Sequence, residues 1–249
     1  MWILRIIKDN GVMIIMENKM EHKVKNAAVL LMAGKSQRFQ NNNNSQKQFV
    51  DFYGKEAFLY PLESLISSLL FDVIVLVCEA DHVSEVKNII EREYSNFKVD
   101  FHLVAGGKTR NESVFNGLKS LCNENITNVY IHDAARVILP KEILFNIQQA
   151  LEKYDAVTPV VPVVDSLMKH GTYIDREDLY RVQTPQAFKY DKILEIYEGG
   201  YDEKDTDDFS KAVRAGLNCF NIKGSEQLYK LTYPEDKTII SALIKEYYK

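Results

Sequence analysis

From Asn26 onward, short apolar runs alternate with segments in which apolar residues recur at helical spacing. Parallel strands joined by crossover helices produce this alternation, because the helices cover both faces of the sheet. The sequence therefore predicts an α/β fold with a mostly parallel, twisted sheet flanked by helices. The predicted elements up to residue 154 are a strand at Ala27–Met32, a helix at Phe58–Leu70, a strand at Asp72–Cys78, a helix at His82–Tyr94, a strand at Val99–Val104, a helix at Asn111–Leu121, a strand at Asn128–His132 and a helix at Pro140–Tyr154.

Beyond Ala156 the alternation becomes less regular. The run Val157–Val164 predicts a strand, but its two prolines each remove a backbone donor, so we expect this strand to end early or to lie at an edge of the sheet. Residues 165–188 have the pattern of a hairpin that turns at Gly171 and are too polar to fill a core. We expect an arm that packs on something else, such as a second subunit. The remaining predicted elements are helices at Tyr190–Tyr197 and Asp207–Ala215, strands at Asn218–Ile222 and Leu228–Thr232, and a last helix that begins at Pro234.

The chain divides into a short N-terminal segment and one domain. Residues 1–25 hold two apolar patches, Trp2–Ile7 and Val12–Met16, which are separated by charged residues. Each patch is shorter than the ~20 apolar residues that a membrane-spanning helix needs, and no signal-peptide cleavage pattern follows. We therefore expect a poorly ordered leader at 1–25, no membrane association, and one domain at 26–249 whose β-arm spans about 164–188.

Composition and charge exclude several classes of protein. Apolar residues make up 46% of the 249-residue chain and charged residues 27%, which is typical of a globular protein. Lysine and arginine number 31 against 35 aspartates and glutamates, so the net charge is −4 and no positive field favours nucleic acid. Cys78, Cys122 and Cys219 are widely separated, which argues against a disulfide framework or a zinc site and predicts a cytoplasmic protein.

Two glycine-containing segments imitate known phosphate-binding motifs. Gly34-Lys35-Ser36 and Gly107-Lys108-Thr109 each match the end of a Walker A loop. That loop requires another glycine five residues earlier, where this sequence has Val29 and His102. Gly34 also lacks the glycine two residues later that a dinucleotide-binding fingerprint requires. The sequence therefore argues against P-loop kinases and against dehydrogenases.

Basic residues cluster where the predicted parallel strands end. The carboxyl ends of such strands meet at one edge of the sheet, which is the usual ligand crevice of this fold class. Small residues there would let backbone N–H groups approach phosphate oxygens, and Asp133 could hold a Mg²⁺ ion that bridges a triphosphate. Each cation alone is more often a solvated surface charge, and Asp133 could instead cap a helix or pair with Arg136. The basic residues at these strand ends are Lys35, Arg38, Lys47, Lys108, Arg110 and Arg136.

Over residues 26–249, nine short motifs occur in the order of one enzyme family. The chain resembles the 2-C-methyl-D-erythritol 4-phosphate cytidylyltransferases, enzymes of the non-mevalonate isoprenoid pathway. The resemblance implies a Rossmann-like fold and transfer of CMP from CTP to the polyol phosphate with release of pyrophosphate. The motifs are Ala33-Gly34…Arg38, Lys47-Gln48-Phe49, Gly106-Gly107-x-x-Arg110-x-x-Ser113-Val114, His132-Asp133-Ala134-Ala135-Arg136, Pro162-Val163-x-Asp165-Ser166, Asp175-Arg176, Gln183-Thr184-Pro185-Gln186, Thr206-Asp207-Asp208 and Lys230-Leu231-Thr232.

The resemblance also implies roles for single residues. Arg38 and Lys47 would be catalytic, since they would stabilise the transition state at the α-phosphate of CTP. Asp133 would bind Mg²⁺, and the arm would deliver Arg176 to the site of the partner in a homodimer. The residues implied to bind the nucleotide are Met32, Ala33, Gly34, Gly107, Arg110, Ser113 and Ala134. Those implied to bind the polyol phosphate are Asp133, Arg136, Ser166, Arg176, Thr184, Thr206 and Lys230.

Three alternatives stay open at this stage. A ribitol 5-phosphate cytidylyltransferase has the same fold and chemistry, but Ala134-Ala135 and Asp175-Arg176 favour methylerythritol phosphate. A non-catalytic nucleotide-binding relative would have lost the cations that the chemistry requires, and this chain retains them. A glycosyltransferase with Asp205 and Asp207 as metal ligands is disfavoured, because this acidic segment precedes a helix and is suited to cap it.

Departures from the family pattern are Lys35 and Ser36 in the first loop, Gln46 in place of proline, Asn41–Asn44, Val137 and Ser166.

Overall fold

The computed structural model describes residues 2–9, 12–19, 24–34, 39, 46–201, 205 and 207–248. Within this part of the chain, strands β1 to β14 are Trp2–Asp9, Val12–Lys19, Asn26–Leu31, Asp51–Phe52, Lys55–Glu56, Val73–Cys78, Asp100–Ala105, Asn128–Asp133, Ala156–Pro162, Leu167–Lys169, Thr172–Ile174, Tyr180–Val182, Gln186–Lys189 and Cys219–Lys223. Helices α1 to α7 are Leu59–Ser68, Val83–Glu93, Arg110–Lys119, Lys141–Ala150, Tyr190–Glu198, Asp208–Arg214 and Asp236–Tyr247. Short 3₁₀ helices occupy Lys47–Phe49 and Ala80–His82.

The main sheet has the strand order β12–β9–β13–β8–β3–β6–β7, and β14 pairs with β9. Strand β3 is an interior strand and pairs in parallel with β6 and β8, while β7 pairs in parallel with β6. Strand β13 is antiparallel to both β8 and β9. The predicted α/β fold with a mostly parallel sheet is therefore confirmed.

Helices cover both faces of the sheet, which explains the continuous apolar strands. All six residues of β6 are buried, since alternate side chains point into two separate cores. One core packs Ile74 and Leu76 against α1, α2 and α4. The other packs Val73 and Val75 against α3, α5 and α6. These two layers support the carboxyl ends of β3, β6, β7 and β8 at one edge of the sheet.

The strand predicted at 157–164 ends early, at Pro162, which is one of the two expected alternatives. It does not lie at an edge, because Val160 pairs with Val182 of β12 on one side and with Lys223 of β14 on the other. Pro159 O accepts a hydrogen bond from Gln183 N at 2.9 Å, and Gln183 lies between the end of β12 and the start of β13. The side of Pro159 that lacks an N–H therefore faces the break between these two strands. No ladder bond is lost there. The segment 228–232 forms a loop and not the predicted strand.

A hairpin projects from the segment predicted as an arm. Strands β10 and β11 pair around His170 and Gly171, whose φ angles of +49° and +82° are the left-handed values that a tight hairpin turn requires. Met168 and Tyr173 are 62% and 76% exposed, so an apolar surface of the hairpin faces solvent. Strands β12 and β13 at the end of the segment belong to the main sheet.

The N-terminal segment contains a second hairpin. Strand β1 pairs with β2 in an antiparallel ladder that runs from Trp2 and Lys19 to Asp9 and Val12. The function of residues 1–25 as a leader stays a prediction. Across the described parts of the chain, helices are too short or too polar to cross a bilayer.

Candidate active site

Two adjoining cavities lie where the parallel strands end. The inner cavity has a volume of about 160 Å³ and the outer cavity about 370 Å³. Ala33, Gly34 and Arg110 line both of them. The inner cavity is also lined by Leu31, Met32, Lys47, Gln48, Asp133, Ala135 and Lys230. The outer cavity is also lined by Glu79, Ala80, Gly106, Gly107, Lys108 and Thr109.

Asp133 is the acidic centre of the inner cavity. It is the last residue of β8 and is 9% exposed. Its Oδ2 accepts a hydrogen bond from Lys230 Nζ at 2.6 Å, and its Oδ1 accepts one from Arg110 Nε at 3.4 Å. Burial raises the pKa of Asp133, but the charges of Lys230 and Arg110 outweigh burial and hold that pKa well below its ordinary value. Asp133 is therefore a carboxylate at neutral pH.

Arg110 connects Asp133 to a second buried carboxylate. It is the first residue of α3, whose N-cap Thr109 accepts a hydrogen bond from Glu112 N. Arg110 Nη2 donates to Asp208 Oδ2 at 2.8 Å, and Asp208 is 0% exposed. Burial by itself lowers the pKa of Arg110, but Asp208 and Asp133 together raise it above its ordinary value. The guanidinium is a permanent cation at the junction of the two cavities.

The two predicted lysines lie at the same cavity as Asp133. Lys47 opens the 3₁₀ helix after the first loop and lines the inner cavity. Lys230 lies in the loop before α7. Asp236 holds this loop in place, because its Oδ2 accepts hydrogen bonds from Thr232 N and Tyr233 N at 2.8 Å each. Arg38, the other predicted catalytic residue, lies outside the described residues. The structure thus brings three predicted cations, with Arg110 the third, to the cavity that Asp133 lines.

The glycine loop of the outer cavity is shaped by close packing. A Cβ atom at Gly106 would lie 2.2 Å from Ala33 Cβ, so only glycine fits beside the end of β3. Gly107 N donates to Ser113 Oγ at 3.1 Å, and Ser113 Oγ donates to Thr109 O at 2.9 Å. The Ser113 hydroxyl therefore holds the loop in place. Its predicted role in reading the base stays a prediction.

Thr184 and His132 form a hydrogen-bonded group that holds the backbone of Asp133. Thr184 Oγ1 accepts a hydrogen bond from Asp133 N at 3.2 Å and lies 3.0 Å from His132 Nδ1. His132 Nε2 lies 3.2 Å from Arg136 O. A neutral imidazole protonated on Nε2 satisfies all three contacts, because it accepts from the threonine hydroxyl and donates to the carbonyl. Burial lowers the pKa of His132 to about 4, so the ring stays uncharged.

We expect His132 to make the protein less stable in mild acid. The unfolded chain takes up a proton on this ring as the pH falls through about 6.5, whereas the folded chain does so only near pH 4. Between about pH 7 and about pH 5, His132 should cost about 2 kcal/mol of unfolding free energy. Urea unfolding of wild type and His132→Gln at both pH values measures this difference. Equal losses in the two proteins would contradict it, since Asp133 with its lowered pKa titrates below this range.

The remaining predicted site residues lie elsewhere. Arg136 donates to Leu228 O at 2.6 Å and to Val182 O at 3.4 Å, so it ties the loop before α7 to the end of β12. Ser166 and Arg176 are exposed on the arm, and Arg176 donates to Val164 O. Ala134 is buried next to Asp133. Thr206 lies outside the described residues.

Two residues that contact each other next to Arg110, Asp208 and Tyr197, were not predicted as site residues. Asp208 belongs to one of the motifs that carry the family resemblance, whereas Tyr197 belongs to none of them. Asp207 does cap α6 as predicted, because its Oδ1 accepts a hydrogen bond from Ser210 N at 2.7 Å. Asp205 pairs with Arg214. Neither carboxylate of the proposed glycosyltransferase metal pair is therefore directed to the strand ends.

Within the part of the chain that the structure describes, the inner cavity offers a metal ion one carboxylate ligand, Asp133, and therefore suits a metal that takes most of its ligands from water and substrate. The described residues include no group of three or more histidine, cysteine, aspartate or glutamate side chains that could hold a metal. Asp133 is the acidic residue among those that line the inner cavity. Mg²⁺ commonly takes one or two carboxylates and completes its octahedron with water and substrate phosphates. Asp133 fits such a site once a polyphosphate supplies the other oxygens.

Comparison with known proteins agrees with this geometry. The family model described as IspD, 2-C-methyl-D-erythritol 4-phosphate cytidylyltransferase, matches residues 26–246. The enzyme of that name from Thermotoga neapolitana is 34% identical over 89% of this chain and 98% of its own. One from Clostridium botulinum is 35% identical over 85% of this chain and 94% of its own.

The fold agrees as well. The crystal structure of 4-diphosphocytidyl-2C-methyl-D-erythritol synthase from Anaerococcus prevotii superposes with a TM-score of 0.76 at 24% identity, over 89% of this chain and 99% of that one. The family match spans the whole domain, including the strand ends that carry Lys47, Arg110, Asp133 and Lys230. The chain belongs to the IspD family of cytidylyltransferases, which are nucleotidyltransferase enzymes.

Proposed function

We propose that this protein transfers CMP from CTP to 2-C-methyl-D-erythritol 4-phosphate and releases pyrophosphate, which is a step of isoprenoid precursor synthesis. The observation that carries the proposal is that Lys47, Arg110 and Lys230 line the inner cavity together with Asp133, whose carboxylate Arg110 and Lys230 contact directly. Attack on the α-phosphate of a nucleoside triphosphate concentrates negative charge in a small volume. Cations held at fixed positions stabilise that charge more in the transition state than in the ground state.

The cations differ in how firmly the protein holds them. Arg110 is held in one position by two carboxylates, so it suits binding of the nucleotide phosphates without moving. Lys230 is 36% exposed and pairs with one oxygen of Asp133, so it suits an incoming phosphate that competes for its ammonium group. Lys47 lines the same cavity and suits the reacting phosphate. Arg38 is proposed to join it.

We further propose that Asp133 binds the Mg²⁺ ion of Mg·CTP. The fit rests on the ionised state of Asp133 and on its place in a cavity lined by phosphate-binding cations. When bound there, the ion would neutralise and orient the phosphate oxygens. The protein's own contribution is to keep Asp133 ionised and its backbone fixed by Thr184.

One assay tests the reaction and its second substrate. Purified protein with CTP and Mg²⁺ is offered 2-C-methyl-D-erythritol 4-phosphate or ribitol 5-phosphate, and pyrophosphate release is followed. We expect turnover with methylerythritol phosphate and at most a trace with ribitol phosphate. Equal or faster turnover with ribitol phosphate would reassign the substrate. Absence of pyrophosphate with both would refute the proposed activity.

We propose a homodimer in which the arm of each subunit completes the site of the other. Support comes from the apolar side chains of Met168 and Tyr173, which lie exposed on the hairpin, and from Arg176, which is exposed on the same arm. A cytoplasmic location is proposed with it, since Cys78, Cys122 and Cys219 are free thiols. An arm placed on a partner would bring Arg176 to the site as a further phosphate-binding cation.

Mixed dimers test whether the arm acts on the partner's site. Arg176→Ala alone should raise KM for the polyol phosphate by about 10- to 100-fold and leave KM for CTP nearly unchanged. When Arg176→Ala and Lys47→Ala subunits are mixed, half of the dimers are hybrids and each hybrid has one intact site. At a polyol phosphate concentration below the wild-type KM, we therefore expect about one quarter of wild-type activity. Activity no higher than the mean of the two parent variants, with hybrids shown by mass spectrometry, would mean that the arm does not act in this way.

A further inference from the structure

Asp208 is a carboxylate that is completely enclosed by protein. It is the first residue of α6, and its side chain is 0% exposed. Its Oδ1 accepts a hydrogen bond from the Tyr197 hydroxyl, and its Oδ2 accepts one from Arg110 Nη2 at 2.8 Å. Gln186 Oε1 accepts hydrogen bonds from Asp208 N and Phe209 N at 2.9 Å each. Both its backbone and its carboxylate are therefore held by the protein.

A buried charge of this kind requires a compensating partner. Asp208 lines neither the inner nor the outer cavity, so its carboxylate is not placed to touch a substrate. Its ion-pair partner is Arg110, which lines both. Burial and the negative charge of Asp208 raise the pKa of Tyr197 far above its ordinary value, so this hydroxyl remains a donor. The only route from Asp208 to the two cavities that these contacts provide is the Arg110 guanidinium.

The two carboxylates hold Arg110 unequally. The bond to Asp208 is 2.8 Å long, whereas the bond from Arg110 Nε to Asp133 is 3.4 Å long. Arg110 Nη1 is buried and has no hydrogen-bond partner among the described residues. An arginine held only by Asp133 would turn fully toward that carboxylate, because a bidentate pair is the geometry a guanidinium prefers. Asp208 holds one edge of the guanidinium away from Asp133.

We propose that Asp208, with Tyr197 behind it, is a positioning group that fixes Arg110 for the phosphates of CTP and prevents Arg110 from closing on Asp133. This inference rests on the proposed function. It assigns no contact with substrate to Asp208 and Tyr197. It predicts that both residues influence nucleotide binding through Arg110 alone.

A double-mutant cycle tests this prediction. The dissociation constant of CTP is measured by calorimetry in EDTA for wild type, Asp208→Asn, Arg110→Ala and the double variant. We expect Asp208→Asn and Arg110→Ala each to weaken CTP binding by about 10- to 100-fold. The double variant should bind CTP like Arg110→Ala, because residues that act through one another are not additive. Tyr197→Phe should show a smaller weakening, again absent in the Arg110→Ala background.

A matched control separates positioning from stability. Like Asp208, Asp155 pairs with a basic side chain, here Lys192 at 2.8 Å, and it also accepts a hydrogen bond from Asn218 N at 3.2 Å. Asp155 precedes β9, however, and so lies at the opposite end of the strands. Asp155→Asn should lower Tm and leave CTP binding unchanged. If Asp208→Asn behaves in the same way, or weakens CTP binding equally in the Arg110→Ala background, the inference is wrong.

Two further outcomes are decisive. If Asp208→Asn does not fold, Tyr197→Phe takes its place in the cycle with Arg110→Ala, because Tyr197→Phe loses one hydroxyl and keeps the ion pair. If the effects of Tyr197→Phe and Arg110→Ala on CTP binding are then additive, the inference is overturned. A wild-type protein that binds CTP neither in EDTA nor in the presence of Mg²⁺ would overturn the proposed function together with this inference; if it binds CTP only with Mg²⁺, the same cycle is measured with Mg²⁺. Additivity in a wild-type background that binds CTP would overturn the inference and leave the proposed function intact.

Discussion

Replacing Lys47 with alanine should lower kcat by about 10²- to 10³-fold, which is the usual cost of removing one group that stabilises transition-state charge. Lys47 lines the inner cavity together with Asp133, Arg110 and Lys230, yet belongs to a short 3₁₀ helix outside the main sheet. Its loss should therefore change the unfolding free energy little. The measurements are steady-state kinetics for both substrates and a thermal melt. The same loss is predicted for Arg38→Ala from the sequence.

A surface lysine provides the control for this experiment. Lys87 lies on α2 and pairs with Glu91 at 3.6 Å, and both side chains are more than half exposed. Lys87→Ala removes the same charge and should leave kcat within about twofold of wild type, because exposed pairs contribute little. A Lys47→Ala enzyme that turns over within about tenfold of wild type would rule out a transition-state role for this ammonium group.

Asp133→Asn should also abolish most activity, by about 10³-fold or more in kcat/KM. The amide has the same size as the carboxylate but carries no charge, so it cannot hold Mg²⁺ firmly and no longer neutralises Arg110 and Lys230. Lys230 can turn to solvent and Arg110 keeps its bond to Asp208, so the fold should persist with a modest loss of stability. The Mg²⁺ concentration for half-maximal rate should rise.

The response to Mg²⁺ separates two roles of Asp133. If this carboxylate only orders its two cations, the variant would be slow but would need the same Mg²⁺ concentration as wild type. That result would contradict the assignment of Asp133 as the metal ligand. Asp100→Asn is the control, because Asp100 begins β7 and is exposed at the opposite end of the sheet. It should match wild type in rate and in Mg²⁺ requirement.

Much of the site could be predicted from the sequence because of how a parallel sheet is built. Strands such as β3, β6 and β8 are apolar runs whose ends are visible in the sequence, and the residues after them must meet at one edge. This reasoning placed Asp133 at the end of a buried strand and Arg110 beside it. It also rejected the two Walker-like segments by spacing alone.

The prolines of β9 show where local rules fail. Pro159 has no N–H to donate, and sequence alone suggests that such a residue lies at an edge. The structure instead sets Pro159 opposite the break between β12 and β13, where no donor is needed. A local pattern does not reveal where a distant strand is interrupted. The missing strand at 228–232 has a similar cause, since Arg136 and Asp236 hold this segment as a loop.

The sequence by itself determined the fold class, the family and the order of the chemical groups, because these depend on hydrophobic periodicity and on motifs read along the chain. Only the tertiary structure decided which basic side chain pairs with which carboxylate. Arg110 and Asp208 are separated by 98 residues, and Lys230 and Asp133 by 97 residues. The energy of an ion pair depends on separation in space and on burial, and neither is written in the spacing of residues along the chain.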